Sequence, residues 1–249
     1  MRIVRVFVDE DVRYGLADDD SITLISDEPF AAWETEGVLP LGQAQLLAPV
    51  IPTKVVCVGI NYRTHATEMG HEIPDEPILF LKPPTSIVGP GAEIHIPGGL
   101  AEVDYEAELG IVIGRRTRNI TPDDAPGYVL GYLCGNDVTS RTLQRKDGQW
   151  ARAKGFDTFC PVGPWVETDV DPRDLQVECV LNGELRQSGR TSDMIFGPWE
   201  IVSFASRVMT LLPGDVILTG TPSGIGPMVR GDVVEVRIEG IGSLLNRVV

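Results

Sequence analysis

Apolar residues along this chain recur mostly at alternate positions, in short runs punctuated by Gly, Pro, Asn and Asp. A period of two predicts strands. Ile3–Val8, Arg13–Ala17 and Ser21–Ile25 read as three leading strands, with Asp18-Asp19-Asp20 as a solvated turn between the last two. Ala48-Pro49-Val50-Ile51-Pro52-Thr53 reads as a hinge. The chain therefore divides into a small N-terminal β module, 1–48, and a main domain, 49–249. In the main domain Lys54–Gly59, Ile78–Lys82, Val103–Ile113, Gly131–Val138, Val177–Leu181, Glu184–Gln187, Asp215–Thr219 and Val233–Ile238 are predicted strands. Asn182-Gly183 between two of them signals a hairpin, because a type I′ turn needs positive φ at both central residues. The period lengthens in Pro198–Leu211, where Ile201, Val202, Phe204, Ala205, Val208 and Met209 predict an amphipathic helix. The sum is an α+β fold dominated by β structure.

Composition narrows the function classes. At 249 residues, 43% hydrophobic and 23% charged, the chain has an ordinary globular make-up, which excludes wholesale disorder. A net charge of −15 argues against nucleic acid and against anionic membrane surfaces. No run of about 18 apolar residues is present to span a membrane. The N-terminal Met1–Asp9 stretch is too short and too soon acidic for a signal peptide, so a cytoplasmic protein is expected. Cys57, Cys134, Cys160 and Cys179 are scattered, with no C-x-x-C pair. They read as small buried hydrophobes rather than as zinc ligands or a disulfide framework.

The chemistry-bearing residues fall in separate segments. Asp104, Glu106 and Glu108 alternate along a predicted strand and so share one face, with Tyr105, Ala107 and Leu109 on the other. Three carboxylates in a row need a cation, basic partners or water between them. With no His or Cys nearby, a hard cation on oxygen ligands is one solution and a solvated acidic edge the other. Asp137, at a strand end, reads as a third carboxylate ligand or as a helix N-cap. Arg141 and Gln144 share a face if helical, and either grip a carboxylate or lie on an exposed helix surface. His65 and Glu68 are three apart on a short helix. A carboxylate that orients an imidazole suits a general base acting on water, although ordinary surface pairs look the same. Lys154 lies among small and apolar residues, where it either faces an oxyanion or sits at the surface. Leu218–Gly226 is Gly-rich without being a P-loop. It either presents backbone N–H groups and the Thr221 hydroxyl to a small anion or is a plain turn.

In chain order these segments resemble the fumarylacetoacetate hydrolase family. The matching pieces are Gly59-Ile60-Asn61-Tyr62 with His65 and Glu68, Leu79-Phe80-Leu81-Lys82-Pro83, and Asp104 to Leu109. They continue with Asn136 to Arg141 and Gln144, Lys154-Gly155-Phe156-Asp157, and Asn182-Gly183-Glu184 with Gln187 and Thr191. Leu218 to Gly226 closes the series. Together they run from about Lys54 to the C-terminus. The resemblance implies a mixed β-sandwich/β-roll core with a few short helices, usually in a homodimer. It also implies Mg²⁺ or Mn²⁺ held by Glu106, Glu108 and Asp137. Lys154 matches the family's lysine, and Arg141, Gln144 and Thr221 match its substrate-gripping residues. His65 and Glu68 match the dyad of its hydrolases and decarboxylases, on a short lid helix. The leading β module is similar to that of bacterial dienedioate isomerase-like members.

The implied activity is metal-dependent cleavage of C–C bonds in acylpyruvate-type 2-keto or 1,3-diketo acids through an enolate, with oxaloacetate decarboxylation as a related activity. The substrate would be a small anionic keto acid. Isomerisation of 2-hydroxyhepta-2,4-diene-1,7-dioate is the alternative, supported by the leading module. An inactive metal-binding homologue is the remote one, and the presence of every expected carboxylate and of Lys154 counts against it.

Overall fold

The strand Ala107–Ile113 is buried along its whole length. In a computed structural model, which describes residues 1–249, it lies inside a twelve-stranded sheet. Leu109, Ile111 and Ile113 face one way, into the largest apolar cluster, where they meet Val177, Cys179, Val234 and Val236 of a second, five-stranded sheet. Val112 faces the other way, toward Val50, Val55, Cys57, Cys160 and Val162. Cover on both faces is why this segment reads as a continuous apolar run instead of an alternation. Each large side chain so buried contributes about 1.5–3 kcal/mol.

The order across the large sheet begins Thr35–Pro40, Ser21–Ile25, Asp11–Ala17, Arg2–Val8, Cys160–Glu167. It continues Val129–Asn136, Ala107–Ile113, Val216–Leu218, Val55–Gly59, Ile78–Lys82. The leading strands are thus hydrogen-bonded neighbours of the 160–167 strand, with Arg2 opposite Glu167 and Ile3 opposite Val166. Val4, Val6, Ala17 and Ile22 form a small cluster of their own, against which Trp165 packs. All but one pairing along this path is antiparallel. The exception, Val216–Leu218 beside Val55–Gly59, is parallel and brings the loops after Gly59 and after Leu218 to one end of the sheet.

Four helices complete the fold: α1 (Arg63–Met69), α2 (Arg141–Asp147), α3 (Ala151–Lys154) and α4 (Pro198–Val208). The β-rich α+β expectation holds. The Asn182-Gly183 hairpin is present, with φ of 53° and 83° at its two turn residues. α4 stops at Val208, short of the predicted Leu211, and Pro198 stands in its first turn, where a missing N–H is harmless. Three of the longer strands were not expected, among them Cys160–Glu167, which is buried at every position but Trp165. Thr35–Pro40 is almost wholly exposed, and Gly242–Val248 alternates, but with Asn246 at a buried position. All four cysteines are free and buried. Burial pushes the Cys160 and Cys179 thiols up to about 12. No helix is long and apolar enough to cross a membrane.

Candidate active site

The predicted strand Val103–Ile113 is in fact broken at Glu106. Val103–Tyr105 pairs with Thr139–Ser140 and Gly226–Pro227 in a three-stranded sheet, whereas Ala107–Ile113 belongs to the large one. At the break, the Glu106 N–H donates to the Asn136 side-chain oxygen at 3.0 Å. The Glu106 carbonyl accepts the Asp137 N–H at 2.9 Å. The register explains why these residues meet. Ala107 and Asn136 are opposite each other in antiparallel strands, so the residue before one and the residue after the other become neighbours.

Strict alternation would have grouped Asp104 with Glu106 and Glu108. Instead Asp104 accepts from Nε of Arg141 at 2.8 Å, and the group that converges is Glu106, Glu108 and Asp137. One oxygen of each lies within 4.8 Å of the others, and all three residues are buried. This rules out the solvated edge. Asp137 is no helix cap either, since α2 begins at Arg141 with Ser140 at its N-cap.

Lys154, the last residue of α3, is 2% exposed, which excludes the surface reading. Its ammonium donates to Glu106 Oε2 at 2.9 Å, Asp137 Oδ2 at 2.6 Å and Thr139 Oγ1 at 2.7 Å, filling all three donors. Burial opposes the lysine charge, but Asp137 and Glu106 outweigh it and raise the pKa above the ordinary lysine value. Burial likewise opposes the Glu106 charge, yet Lys154 and Arg141 hold that carboxyl well below the usual range. Glu108 is the contrast. It accepts the Gly220 N–H at 2.7 Å and makes no ion pair. Burial, with Asp137 and Glu106 beside it, pushes its carboxyl well above the usual range. Three buried carboxylates, one of them without a counter-charge, form a donor set of the kind a hard divalent cation takes.

Arg141 is held on three sides: Nε by Asp104, one terminal nitrogen by Glu106 at 2.5 Å, and the other by Gln144 at 2.9 Å. His65 is buried on α1, with Nδ1 3.2 Å from Glu68 Oε2. The other Glu68 oxygen accepts the Gly224 N–H at 3.0 Å. The Gly-rich loop therefore directs the Gly220 and Gly224 N–H groups at the protein's own Glu108 and Glu68, not at a free anion. Thr221 donates to the Ala107 carbonyl at 2.8 Å and accepts from Gln187 at 2.8 Å.

One narrow cavity, of about 30 Å³, is lined by His65, Glu106, Glu108, Asp137, Arg141, Gln144, Lys154 and Thr221. Glu68 does not line it and touches it only through His65. Phe80 and Trp150, packed edge to face at 5.2 Å, wall the same space. Neither aromatic stood out in the sequence. Asn61 was quoted only as part of a motif. It ties the two crossover loops together, donating to the Thr219 and Phe196 carbonyls and accepting the Phe196 N–H. Ile60, on the cavity wall just before it, holds φ of 55°, an unusual conformation for a β-branched residue. Lys82 likewise stood only within a motif, with no role of its own. It is fully enclosed and donates to Asp137 Oδ1 at 2.5 Å. Its place at the end of the Phe80-Leu81-Lys82 strand gave no local hint of a charge partner 55 residues away.

The profile of the fumarylacetoacetate hydrolase C-terminal domain matches residues 54–249. The chain belongs to the fumarylacetoacetate hydrolase family. A second profile, Rv2993c-like, N-terminal, matches residues 1–49. The human oxaloacetate tautomerase FAHD2A, mitochondrial, is 45% identical over 225 residues, covering 85% of this chain and 72% of that protein. The crystal structure of 2-hydroxyhepta-2,4-diene-1,7-dioate isomerase from Mycobacterium marinum superposes with a TM-score of 0.94 at 46% identity, over 100% of this chain and 98% of that one. Maleylpyruvate hydrolase from Sphingobium sp. SYK-6, solved with manganese(II) and pyruvate, superposes at 0.84 with 31% identity, over 100% and 99%. Members of this family thus carry isomerase, tautomerase and hydrolase names on one fold, so the fold alone does not select the reaction.

Proposed function

We propose that the chain is a divalent-metal-dependent enzyme acting on small 2-keto acids of the acylpyruvate and oxaloacetate class, which breaks the C–C bond one carbon beyond the keto group by hydrolysis or decarboxylation. The observation that carries this reading is the convergence of the His65–Glu68 pair, the three-carboxylate cluster and Lys154 on one cavity. A relative named for oxaloacetate and a structural neighbour that holds manganese and pyruvate support the substrate class.

In this reading Glu106, Glu108 and Asp137 hold Mg²⁺ or Mn²⁺. Such an ion supplies Lewis-acid stabilisation of negative charge at the keto oxygen. Lys154 adds positive charge beside the same oxygen from a fixed, desolvated position, so little reorganisation is needed as that charge develops. Arg141, Gln144 and Thr221 orient the substrate carboxylate. His65, oriented by Glu68, takes a proton from water, and the resulting hydroxide adds to the distal carbonyl. The C–C electron pair leaves with the keto-acid fragment, and the imidazolium returns its proton to the product. Phe80 and Trp150 exclude bulk water. In decarboxylation the same electron pair is released by loss of CO₂, and no hydrolytic water is consumed. The surroundings of this chemistry are also proposed: a cytoplasmic homodimer with neither nucleic-acid nor membrane partner.

A second reading, dienedioate isomerisation, is favoured by the 46% identical neighbour of that name. The deciding experiment follows acetylpyruvate, oxaloacetate and the dienedioate with Mg²⁺ or EDTA, for wild type and His65→Ala. Cleavage of acetylpyruvate that needs both metal and His65, or metal-dependent decarboxylation of oxaloacetate above the rate with free metal alone, supports the first reading. Isomerisation of the dienedioate that survives His65→Ala, with no cleavage of either other acid, supports the second.

A further inference from the structure

Asp137 is gripped from two sides by two buried lysines. Lys154 takes Oδ2 and shares itself with Glu106 and Thr139. Lys82 takes Oδ1, and its only other acceptor is the Val138 carbonyl at 3.2 Å. The two lysines differ in access. Lys154 lines the cavity and Lys82 does not. Lys82 side-chain exposure is 0%, against 3% for Lys154. Lys82 therefore lies behind Asp137, with the carboxylate between it and the cavity.

We infer that Lys82 is a positioning residue that sets which cation the cluster accepts. It occupies one oxygen of Asp137 permanently and leaves a single oxygen for the cavity side. This rests on the reading that Glu106, Glu108 and Asp137 hold a divalent ion.

With Oδ1 drawn to a buried ammonium on its far side, Asp137 meets an ion from the cavity through Oδ2, the oxygen that Lys154 shares, and not through both. Small ions such as Mg²⁺ and Mn²⁺ accept that, because they form compact octahedra from single oxygens at about 2.0–2.2 Å. Ca²⁺ wants six to eight oxygens at about 2.3–2.6 Å and commonly takes carboxylates through both. Pinning Oδ1 withholds one ligand that the larger ion would use. Glu106 is limited in the same way, since Arg141 holds one of its oxygens at 2.5 Å. Glu108 alone keeps no cationic partner. Lys154 does not serve as the pin, because its ammonium sits on the cavity side, among the oxygens an entering ion would approach.

A lysine behind a metal ligand also repels any cation through its charge. That effect acts alike on every divalent ion, so it cancels in the ratio of two affinities. The ratio of Ca²⁺ to Mg²⁺ affinity is therefore the readout that neither a charge effect nor a general structural role would move.

The test is calorimetric titration of the full-length protein with Mg²⁺, Mn²⁺ and Ca²⁺, for wild type, Lys82→Met and Lys82→Gln. Met replaces the aliphatic stem and removes the donor. Gln keeps an N–H for Oδ1 without the charge. The expected result is a wild type that prefers Mg²⁺ and Mn²⁺, and a Lys82→Met in which the preference shifts toward Ca²⁺ by about tenfold or more. Lys82→Gln should fall between. Should Lys82→Met fail to fold, Lys82→Gln carries the comparison with a smaller shift in the same direction. A ratio unchanged in whichever variant folds, with both affinities moving together, overturns the inference while leaving the metal site standing. A wild type that binds none of the three ions overturns the metal reading itself, and the inference with it.

Discussion

The backbone N–H of Gly220 donates to Oε2 of Glu108 at 2.7 Å across 112 residues of sequence, and Glu108 makes no ion pair. A single neutral donor stabilises the Glu108 charge less than Lys154 and Arg141 stabilise that of Glu106. The two carboxyls therefore titrate in opposite directions from the usual value: Glu106 down, Glu108 up. For folding, the Glu106 contribution is present above the unfolded value and lost as pH falls through its depressed folded value. The Glu108 contribution is present below the unfolded value and lost as pH rises through its raised one. A cation needs Glu108 ionised. Divalent-ion affinity should thus rise with pH until Glu108 is deprotonated, with release of up to one proton per ion bound below that point. Titration in two buffers of different ionisation heat, at pH 5.5 and 8, measures both quantities. An affinity flat across that range, with no proton released, would contradict the assignment.

His65 and Glu68 should separate turnover from ion binding. Neither belongs to the carboxylate cluster. His65→Ala is expected to lower kcat for acylpyruvate cleavage by about 10²–10⁴-fold while leaving Mg²⁺ affinity within a factor of about two. Glu68→Gln should cost less than His65→Ala, because it keeps a hydrogen-bonding partner beside Nδ1 while removing the charge. Steady-state kinetics, alongside ion titration, checks both variants.

Removing Lys154 should affect activity more than folding. Loss of one partner from a buried ion pair ordinarily costs about 3–5 kcal/mol. Here each carboxylate keeps another cation, Lys82 on Asp137 and Arg141 on Glu106. Lys154→Met should therefore cost less than about 3 kcal/mol in denaturant unfolding. Turnover should fall by about 10²–10³-fold. Unfolding curves set beside kinetics decide it: a large loss of stability with near-normal turnover would make Lys154 part of the frame only.

Gly59 and Trp150 form a lever on cavity size. A Cβ at Gly59 would lie 2.4 Å from a Trp150 ring carbon, so the indole must move. Gly59→Ala should raise KM for a short keto acid by about tenfold, since crowding of this kind typically costs about 1–3 kcal/mol. Trp150→Ala should do the reverse for longer acyl groups, gaining at most about 1–3 kcal/mol of discrimination per added methylene. Relative kcat/KM across acylpyruvates of increasing length reads both effects.

Local pattern disclosed much of this molecule, and its failures have physical causes. Strands such as Ser21–Ile25 and Val233–Ile238 show their period because one face is less covered than the other. The hairpin at Asn182-Gly183 shows because positive φ selects residue types. The break at Glu106 was hidden, because an alternating pattern continues through it and only pairing with two different sheets interrupts the strand. Lys154 showed itself through the expense of burying a charge among small residues. Lys82 obeys the same rule but stands at the end of a strand beside Pro83, where a solvated lysine would look identical. The pairs that organise the site, Lys82 with Asp137 and Gly220 with Glu108, are long-range, and nothing in either local segment encodes its partner.

The parallel pairing of Val55–Gly59 with Val216–Leu218 bears on how the protein is made. A chain is synthesised from its N-terminus. His65, Glu108, Asp137 and Lys154 all emerge before the strand that places Gly220 and Gly224. Until then Glu108 has no backbone donor, Glu68 lacks one of its two partners, and the edge of Val55–Gly59 is bare. Glu106 and Asp137 can already pair with Lys82, Arg141 and Lys154, but Glu108 waits on one of the most sequence-distant pairings in the fold, the kind that closes slowly. The site is completed only once the 218–224 segment has been made, so a ribosome that stalls before Leu218 holds a chain carrying the carboxylates without the loop that seats Glu108 and Glu68.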